Sequence, residues 1–239
     1  FYARSDKKDR PRISIAARLM ADLLQTAGAD RVLTMDLHSP QIQGFFRIPV
    51  DQLVAAPILC EHVKRGDLTD CVLVAGDVGE AKELGRFSNL LHLPVAVVDK
   101  RRYGDDDRAV ATNLIGEVKG KHAIIVDDEI NTAGTMIEAV KVLEQNGVLG
   151  IYATATHGIF SGKGVERLND SSIKEVVITD TVPLEEHKRV PKIRTLSVAP
   201  LLAEAIQRIH TGQSVGAMFD DGTDDMWTQS VLAESANSR

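Results

Sequence analysis

The sequence has no run of about 18 apolar residues, the length that a membrane-spanning helix needs, so we expect no membrane partner. Its start, Phe1-Tyr2-Ala3-Arg4, has no initiator Met, no basic-then-apolar signal pattern and no small-residue cleavage site. We therefore expect that the N-terminal part of the protein is missing from this sequence. Hydrophobic residues make up 44% of the 239 residues, which is enough for a core.

Cysteine is scarce as well, with Cys60 and Cys71 as the only two in the chain. Two cysteines are too few for a disulfide framework. We interpret them as small buried thiols in a reducing compartment, and the predicted location is cytoplasmic.

An excess of positive charge is also absent. The formal net charge is -6, which argues against a general nucleic-acid binder. The basic residues that exist are grouped at 4–12 and 100–102. Such clusters in an acidic protein suit a compact polyanion, namely a nucleotide or a sugar phosphate; the alternative is a solvated charged face.

Segments rich in Val and Ile alternate with segments of helical period along the chain. The predicted strands are residues 31–37, 71–75, 95–99, 122–126, 150–156, 175–179 and 193–198. The predicted helices are residues 13–27, 57–64, 81–91, 135–145, 164–169 and 200–210. This alternation predicts an α/β fold with a largely parallel sheet covered on both faces. The acidic segment 220–239 is predicted to be a mobile tail.

Acidic and histidine residues recur at the predicted C-terminal ends of the strands. They are Asp36, His38, Asp77, Asp99, Asp127, Asp128, His157 and Asp180. Open α/β sheets bind ligands at that edge. We expect a polar crevice there that is able to hold a metal.

The most informative segment is residues 122–135, in which an apolar strand ends in Asp127 and Asp128, a short turn follows and a helix begins. The turn and the start of the helix carry hydroxyls and small residues that let backbone amides approach a ligand: Asn131, Thr132, Ala133, Gly134 and Thr135. Amides at a helix N-terminus favour a phosphate, whereas the two carboxylates suit sugar hydroxyls or a metal. The segment therefore predicts a sugar-phosphate site.

This segment resembles the signature of the phosphoribosyltransferase-type fold, and three others resemble the ribose-phosphate pyrophosphokinase family. Residues 3–12 resemble its ATP-contacting segment, which implies that Arg4 and Ser5 lie against the nucleotide. Residues 34–46 resemble a stretch in which the matching histidine, His38, faces a magnesium ion on the ATP phosphates. Asp77 matches a second metal-facing residue.

Residues 97–102, with the polar stretch that follows them to Gly120, are similar to the family's flexible catalytic loop. The resemblance implies that Lys100 and Arg102 stabilise the transition state, and that Arg102 also contacts ribose 5-phosphate. Diphosphoryl transfer needs charge neutralisation and in-line positioning more than a covalent nucleophile, which such a loop provides.

The resemblance implies two phosphoribosyltransferase-like domains with parallel sheets, the first of them incomplete. Residues 1–53 would be the remnant of the first domain, with 199–219 packing back on it, and 54–198 would be the second domain. The implied reaction moves the diphosphate of Mg²⁺-bound ATP to ribose 5-phosphate, with Mg²⁺ as the cofactor. A homohexamer is the implied assembly.

The chain departs from the family pattern at several positions: Ser5, Gly79-Glu80, Asn131 and Gly216. Gly216 replaces a serine of a regulatory phosphate and ADP site, which puts that regulation in doubt. Three alternatives stay open: a transferase that uses a nucleobase, a silent subunit that regulates active partners, and a fragment that is inert although its parent is active.

Overall fold

A computed structural model describes residues 4–6, 11–77, 81–102 and 110–219. For residues 81, 82, 100–102 and 110–112 it describes the backbone alone. The chain forms two compact units, Phe1–Leu196 and Ser197–Arg239. The predicted tail, 220–239, lies outside the described residues.

The first unit contains nine strands and five α-helices among its described residues. Its strands are β1 (Val32–Met35), β2 (Val50–Leu53), β3 (Cys71–Ala75), β4 (Val95–Arg102), β5 (Val110–Ile115), β6 (His122–Ile130), β7 (Gly150–Gly158), β8 (Ile173–Thr179) and β9 (Ile193–Leu196). Its helices are α1 (Ala16–Thr26), α2 (Ala56–Val63), α3 (Ala81–Leu91), α4 (Gly134–Gln145) and α5 (Gly164–Asp170). A 3-10 helix spans Pro40–Phe45.

The strands form two sheets. The larger sheet has seven strands in the order β5-β4-β3-β6-β7-β8-β9, and all of its pairs are parallel except β4 with β5. The smaller sheet is the parallel pair of β1 and β2. The predicted α/β fold with parallel sheets is confirmed.

The central strands could be predicted from the sequence because they are buried. All five residues of β3 are buried, and so are Ala123–Val126 of β6. A strand that is covered on both faces reads as a continuous apolar run. Helix α4 buries Met136, Ala139, Val140 and Leu143, whose spacing gives one apolar stripe, and these residues share a core cluster with β3, β6 and β7.

Strands β2 and β5 were not predicted. β2 has four residues, two of them polar, and is stabilised by its pairing with β1. The stretch predicted as a polar loop up to Gly120 instead contains β5, an antiparallel edge strand in which Ile115 is 58% exposed. The backbone of residues 100–102 belongs to β4, which runs beyond its predicted end at Asp99.

The second unit contains α6 (Ala199–Thr211), which buries Leu201 and Ala205. It ends at Gly212, whose φ of 70° is the left-handed conformation that glycine adopts at a helix C-terminus. The predicted domain bounds, with 1–53 and 199–219 forming one domain and 54–198 the other, stay a prediction.

Both cysteines are free and buried, as predicted. Across the described ranges, no helix has the length and apolar character that crossing a bilayer requires.

Candidate functional site

A cavity of about 490 Å³ lies where β6 ends and α4 begins. Most of the predicted site residues line it: Arg4, His38, Asp77, Asp127, Asn131, Thr132, Ala133, Gly134 and Thr135. These residues come from four separate parts of the sequence. The fold therefore brings together groups that were predicted separately for a sugar phosphate, a nucleotide and a metal.

The turn between β6 and α4 is held from outside the cavity. The Arg167 guanidinium donates a hydrogen bond to the Thr132 carbonyl over 2.8 Å, and the Ser161 N–H donates to the Asn131 carbonyl over 3.0 Å. Gly164 packs so closely below the turn that a Cβ there would lie 2.8 Å from the Asn131 carbonyl oxygen. Ala133 has a φ of 58°, a left-handed conformation that is strained for alanine. The first N–H groups of α4, which lack acceptors within the helix, begin directly after this turn.

Two side-chain oxygens beside the turn are buried without a partner. Asp128 binds the His38 Nδ1 through one carboxylate oxygen over 2.6 Å. Its other oxygen, Oδ1, and the Asn131 Oδ1 form no hydrogen bond within the part of the chain that the structure describes. Buried polar atoms are nearly always paired in native proteins, so these two are positions at which a ligand would bind.

Glu129 is a site residue that the sequence analysis missed. Its side chain is 8% exposed, lines the cavity and forms an ion pair with Arg4. A buried carboxylate needs such a partner, and this one fixes the position of Arg4. Strand periodicity could have found it, because residues two apart on a strand share a face and Glu129 follows Asp127 by two.

Asp36 and His157 anchor the end of β1 to the end of β7. The Asp36 carboxylate accepts the Ala55 N–H over 2.9 Å and the Thr156 hydroxyl over 2.7 Å. The His157 Nε2 donates to the carbonyls of Met35 and Asp36 over 3.2 and 3.1 Å. Because β7 is the neighbour of β6, this anchor holds the segment that leads to His38 next to Asp128.

Burial raises the pKa of Asp36, although the Ala55 and Thr156 hydrogen bonds oppose that effect. The protonated form is therefore favoured by folding. The stability that this carboxyl contributes is fully present below its ordinary pKa of 3.8 and is lost as the pH rises through the raised value.

Asp36→Asn keeps an acceptor oxygen but has no charge to desolvate. We expect its free energy of unfolding, relative to the parent, to increase as the pH rises above about 4. Urea unfolding of both proteins at several pH values between 4 and 7 measures this difference. The same substitution at the exposed Asp170 is the control and should follow the parent. A difference that shrinks with pH would contradict the assignment.

His38 and Asp77 line the same cavity, as expected for two residues that hold one metal. Among the described residues, no group of three or more His, Cys, Asp or Glu side chains is arranged to hold a metal alone. Two protein ligands fit Mg²⁺, which keeps several waters and bridges phosphate oxygens. The donor set therefore fits Mg²⁺ better than a metal that needs a complete protein cage.

Four predicted residues are not placed in the cavity. Asp128 does not line it, although its carboxylate contacts the lining residue His38. Ser5 does not line it; its carbonyl accepts the Ala17 N–H at the start of α1 over 3.3 Å. The side chains of Lys100 and Arg102 lie outside the described part of the structure, which gives only their backbone in β4.

The comparisons with known proteins agree with this geometry. Residues 106–220 match the family model of the phosphoribosyl synthetase-associated domain. The chain is 52% identical over 219 residues to a ribose-phosphate pyrophosphokinase of Caldanaerobacter subterraneus, a match that covers 91% of this chain and 69% of the relative. It is 47% identical to that of Bacillus subtilis, of which it covers 68%. The crystal structure of phosphoribosylpyrophosphate synthetase from Mycobacterium smegmatis superposes with a TM-score of 0.82 at 40% identity, covering 88% of this chain and 69% of that one.

Proposed function

The chain belongs to the ribose-phosphate pyrophosphokinase family, and from that premise we propose that it transfers the β,γ-diphosphate of Mg-ATP to the 1-hydroxyl of ribose 5-phosphate. The products are phosphoribosyl pyrophosphate, for nucleotide biosynthesis, and AMP. Membership makes the protein an enzyme of the ribose-phosphate diphosphokinase class. The observation that carries the proposal is that Arg4, His38 and the turn between β6 and α4 share one cavity.

The turn binds the sugar phosphate. Backbone amides at residues 132–135 and the Thr132 and Thr135 hydroxyls take the 5-phosphate, because the N-terminus of α4 favours an anion. Asp127 and Asp128 accept hydrogen bonds from the sugar hydroxyls. Asn131 contributes its unpartnered amide oxygen from the same turn. Arg102, which is the last residue of β4, is a further proposed contact of the sugar phosphate.

ATP lies against Arg4, which its ion pair with Glu129 holds in the cavity. Ser5, the next residue along the chain, lies against the nucleotide as well. His38 and Asp77 hold the magnesium ion of Mg-ATP. The ion supplies charge neutralisation on the phosphate oxygens. The His38 imidazole forms a hydrogen bond with the Asp128 carboxylate. A proposed metal-binding residue and a proposed sugar-binding residue are therefore in direct contact.

No covalent nucleophile is required in this mechanism. The ribose 1-hydroxyl oxygen attacks the β-phosphorus and releases its proton to solvent as the new O–P bond forms. The bond between the β-phosphorus and the oxygen that bridges to the α-phosphate breaks, and that oxygen leaves on AMP. Lys100 and Arg102 neutralise the charge that develops on the transferred group. The remaining requirement is in-line alignment of the two substrates, and the presence of both sets of proposed binding residues in one cavity supports it.

The test is release of AMP from ATP and Mg²⁺, with and without ribose 5-phosphate. The assay is run on this chain alone and on a chimaera. In the chimaera, this chain is joined to the part of a relative that lies outside the matched region. We expect AMP only when the sugar is present. Ribose 5-phosphate binding without AMP release from either form would contradict the proposal and favour a nucleobase-using transferase or a regulatory subunit. Assays with purine and pyrimidine bases, and mixing with an active relative, separate those two.

The homohexameric assembly and the cytoplasmic location stay predictions, and Gly216 leaves the regulation by phosphate and ADP in doubt.

A further inference from the structure

A second cavity, of about 570 Å³, lies at the amino-terminal ends of the central strands. It includes Cys71 and His122, which begin β3 and β6, and it shares no lining residue with the first cavity. The segment 63–70, between α2 and β3, forms another side of it. Nothing in the proposed reaction uses these residues.

Two residues that line this cavity each carry a buried polar atom that has no hydrogen-bond partner among the described residues. Thr154 is 1% exposed, and neither its Oγ1 nor the His122 Nδ1 forms a hydrogen bond within the described residues. Thr154 pairs with Val126 on one side and Val177 on the other, so the adjacent strand positions offer its hydroxyl no side-chain partner. A buried polar atom of this kind destabilises the fold unless a ligand or a water satisfies it.

The charges around the cavity offer no site for a phosphate. Glu175 accepts a hydrogen bond from the Arg194 Nε over 2.8 Å and contacts the His62 Nε2 at 3.5 Å. Asp67 accepts the Thr69 N–H over 2.9 Å. The two lining arginines and Lys174, whose Nζ lies 5.7 Å from the ring centroid of the lining residue Tyr152, are matched by three acids, Asp67, Asp70 and Glu175, so there is no excess positive charge to attract an anion.

The other walls are apolar and include an aromatic ring. Tyr152 packs edge-on against His122, with ring centroids 6.2 Å apart, and Ile124 and Leu149 also line the space. The volume is within the range of small-molecule sites, which combine apolar walls with a few polar groups that orient the ligand. These features suit a flat ring with hydrogen-bonding edges.

We propose that this cavity binds an uncharged nucleoside or nucleobase, whose ring edge bonds the Thr154 hydroxyl and the His122 imidazole. Both groups can donate or accept, as the edge of such a ring requires. The ring faces pack on Tyr152 and Ile124. The site is separate from the cavity of the proposed reaction, so either proposal can fail without the other.

The probes are adenosine and uridine, titrated calorimetrically into the whole chain, with inorganic phosphate as the charged comparison. We expect one nucleoside per chain, no phosphate bound there, and amide chemical-shift changes at residues 122, 149–154 and 175. Thr154→Val keeps the shape but removes the hydroxyl, and we expect it to weaken nucleoside binding about tenfold. The same variant should leave ribose 5-phosphate binding unchanged.

Two further variants keep the test decisive. Thr195→Val makes the same change at an exposed position of β9 and should leave nucleoside binding unchanged. Leu149→Arg alters a side chain that is 59% exposed, so it should fold, and it should obstruct the cavity. Absence of nucleoside binding would overturn the proposal. Water would then be the partner of the Thr154 Oγ1 and the His122 Nδ1. Binding that survives both Thr154→Val and Leu149→Arg would belong to the ATP site and would overturn it equally.

Discussion

Replacing Lys100 or Arg102 with alanine is expected to lower the turnover number by about 10²–10³-fold, the usual effect of removing a group that stabilises transition-state charge. The loss should appear in kcat, because the charge on the transferred diphosphate develops only in the transition state. Both residues follow Asp99 in β4, whose backbone pairs with β5 through Lys100 with Thr112 and Arg102 with Val110. They therefore begin on an antiparallel ribbon and not in a free loop, which fixes where their backbone lies.

The matched control is Lys119→Ala, which removes the same charge from an exposed position. It should leave kcat and both Michaelis constants unchanged. Thermal unfolding of all three variants should stay within a few degrees of the parent. If Lys100→Ala or Arg102→Ala lost turnover only in proportion to lost stability, the residues would be structural and not catalytic.

The sequence predicted the elements whose burial is uniform. β3 and residues 123–126 of β6 are apolar because the sheet is covered on both faces there, and α4 shows its stripe clearly. β2 and β5 were missed because each has two polar residues at its middle and gains its stability from one neighbouring strand. Such strands depend on a pairing that no local pattern reveals.

The same distinction holds for the site. The sugar-phosphate segment at 127–135 was predicted because its carboxylates, hydroxyls and small residues lie close together in sequence. The contact of His38 with Asp128 joins residues 90 positions apart, and that of Asp36 with Thr156 joins residues 120 apart. These contacts follow from the anchoring of the smaller sheet to β7, which is a tertiary arrangement. The Arg4–Glu129 ion pair was missed for the same reason, although the strand period alone could have indicated the face on which Glu129 lies.

Asp127→Ala is expected to raise the Michaelis constant for ribose 5-phosphate by about 10- to 100-fold, since hydrogen bonds to a charged group contribute about 1.5–3 kcal/mol. Asp127 lines the cavity beside the phosphate turn, and its Oδ1 accepts the Glu129 N–H over 3.3 Å. The Michaelis constant for ATP should change much less, because Arg4 is held by its ion pair with Glu129. Asp170→Ala, at an exposed acid, is the control and should change neither constant. Steady-state kinetics with each substrate varied in turn separates the two constants. An unchanged constant for the sugar would remove Asp127 from the sugar site and leave Asp128, whose Oδ1 has no partner among the described residues, as the carboxylate that binds the hydroxyls.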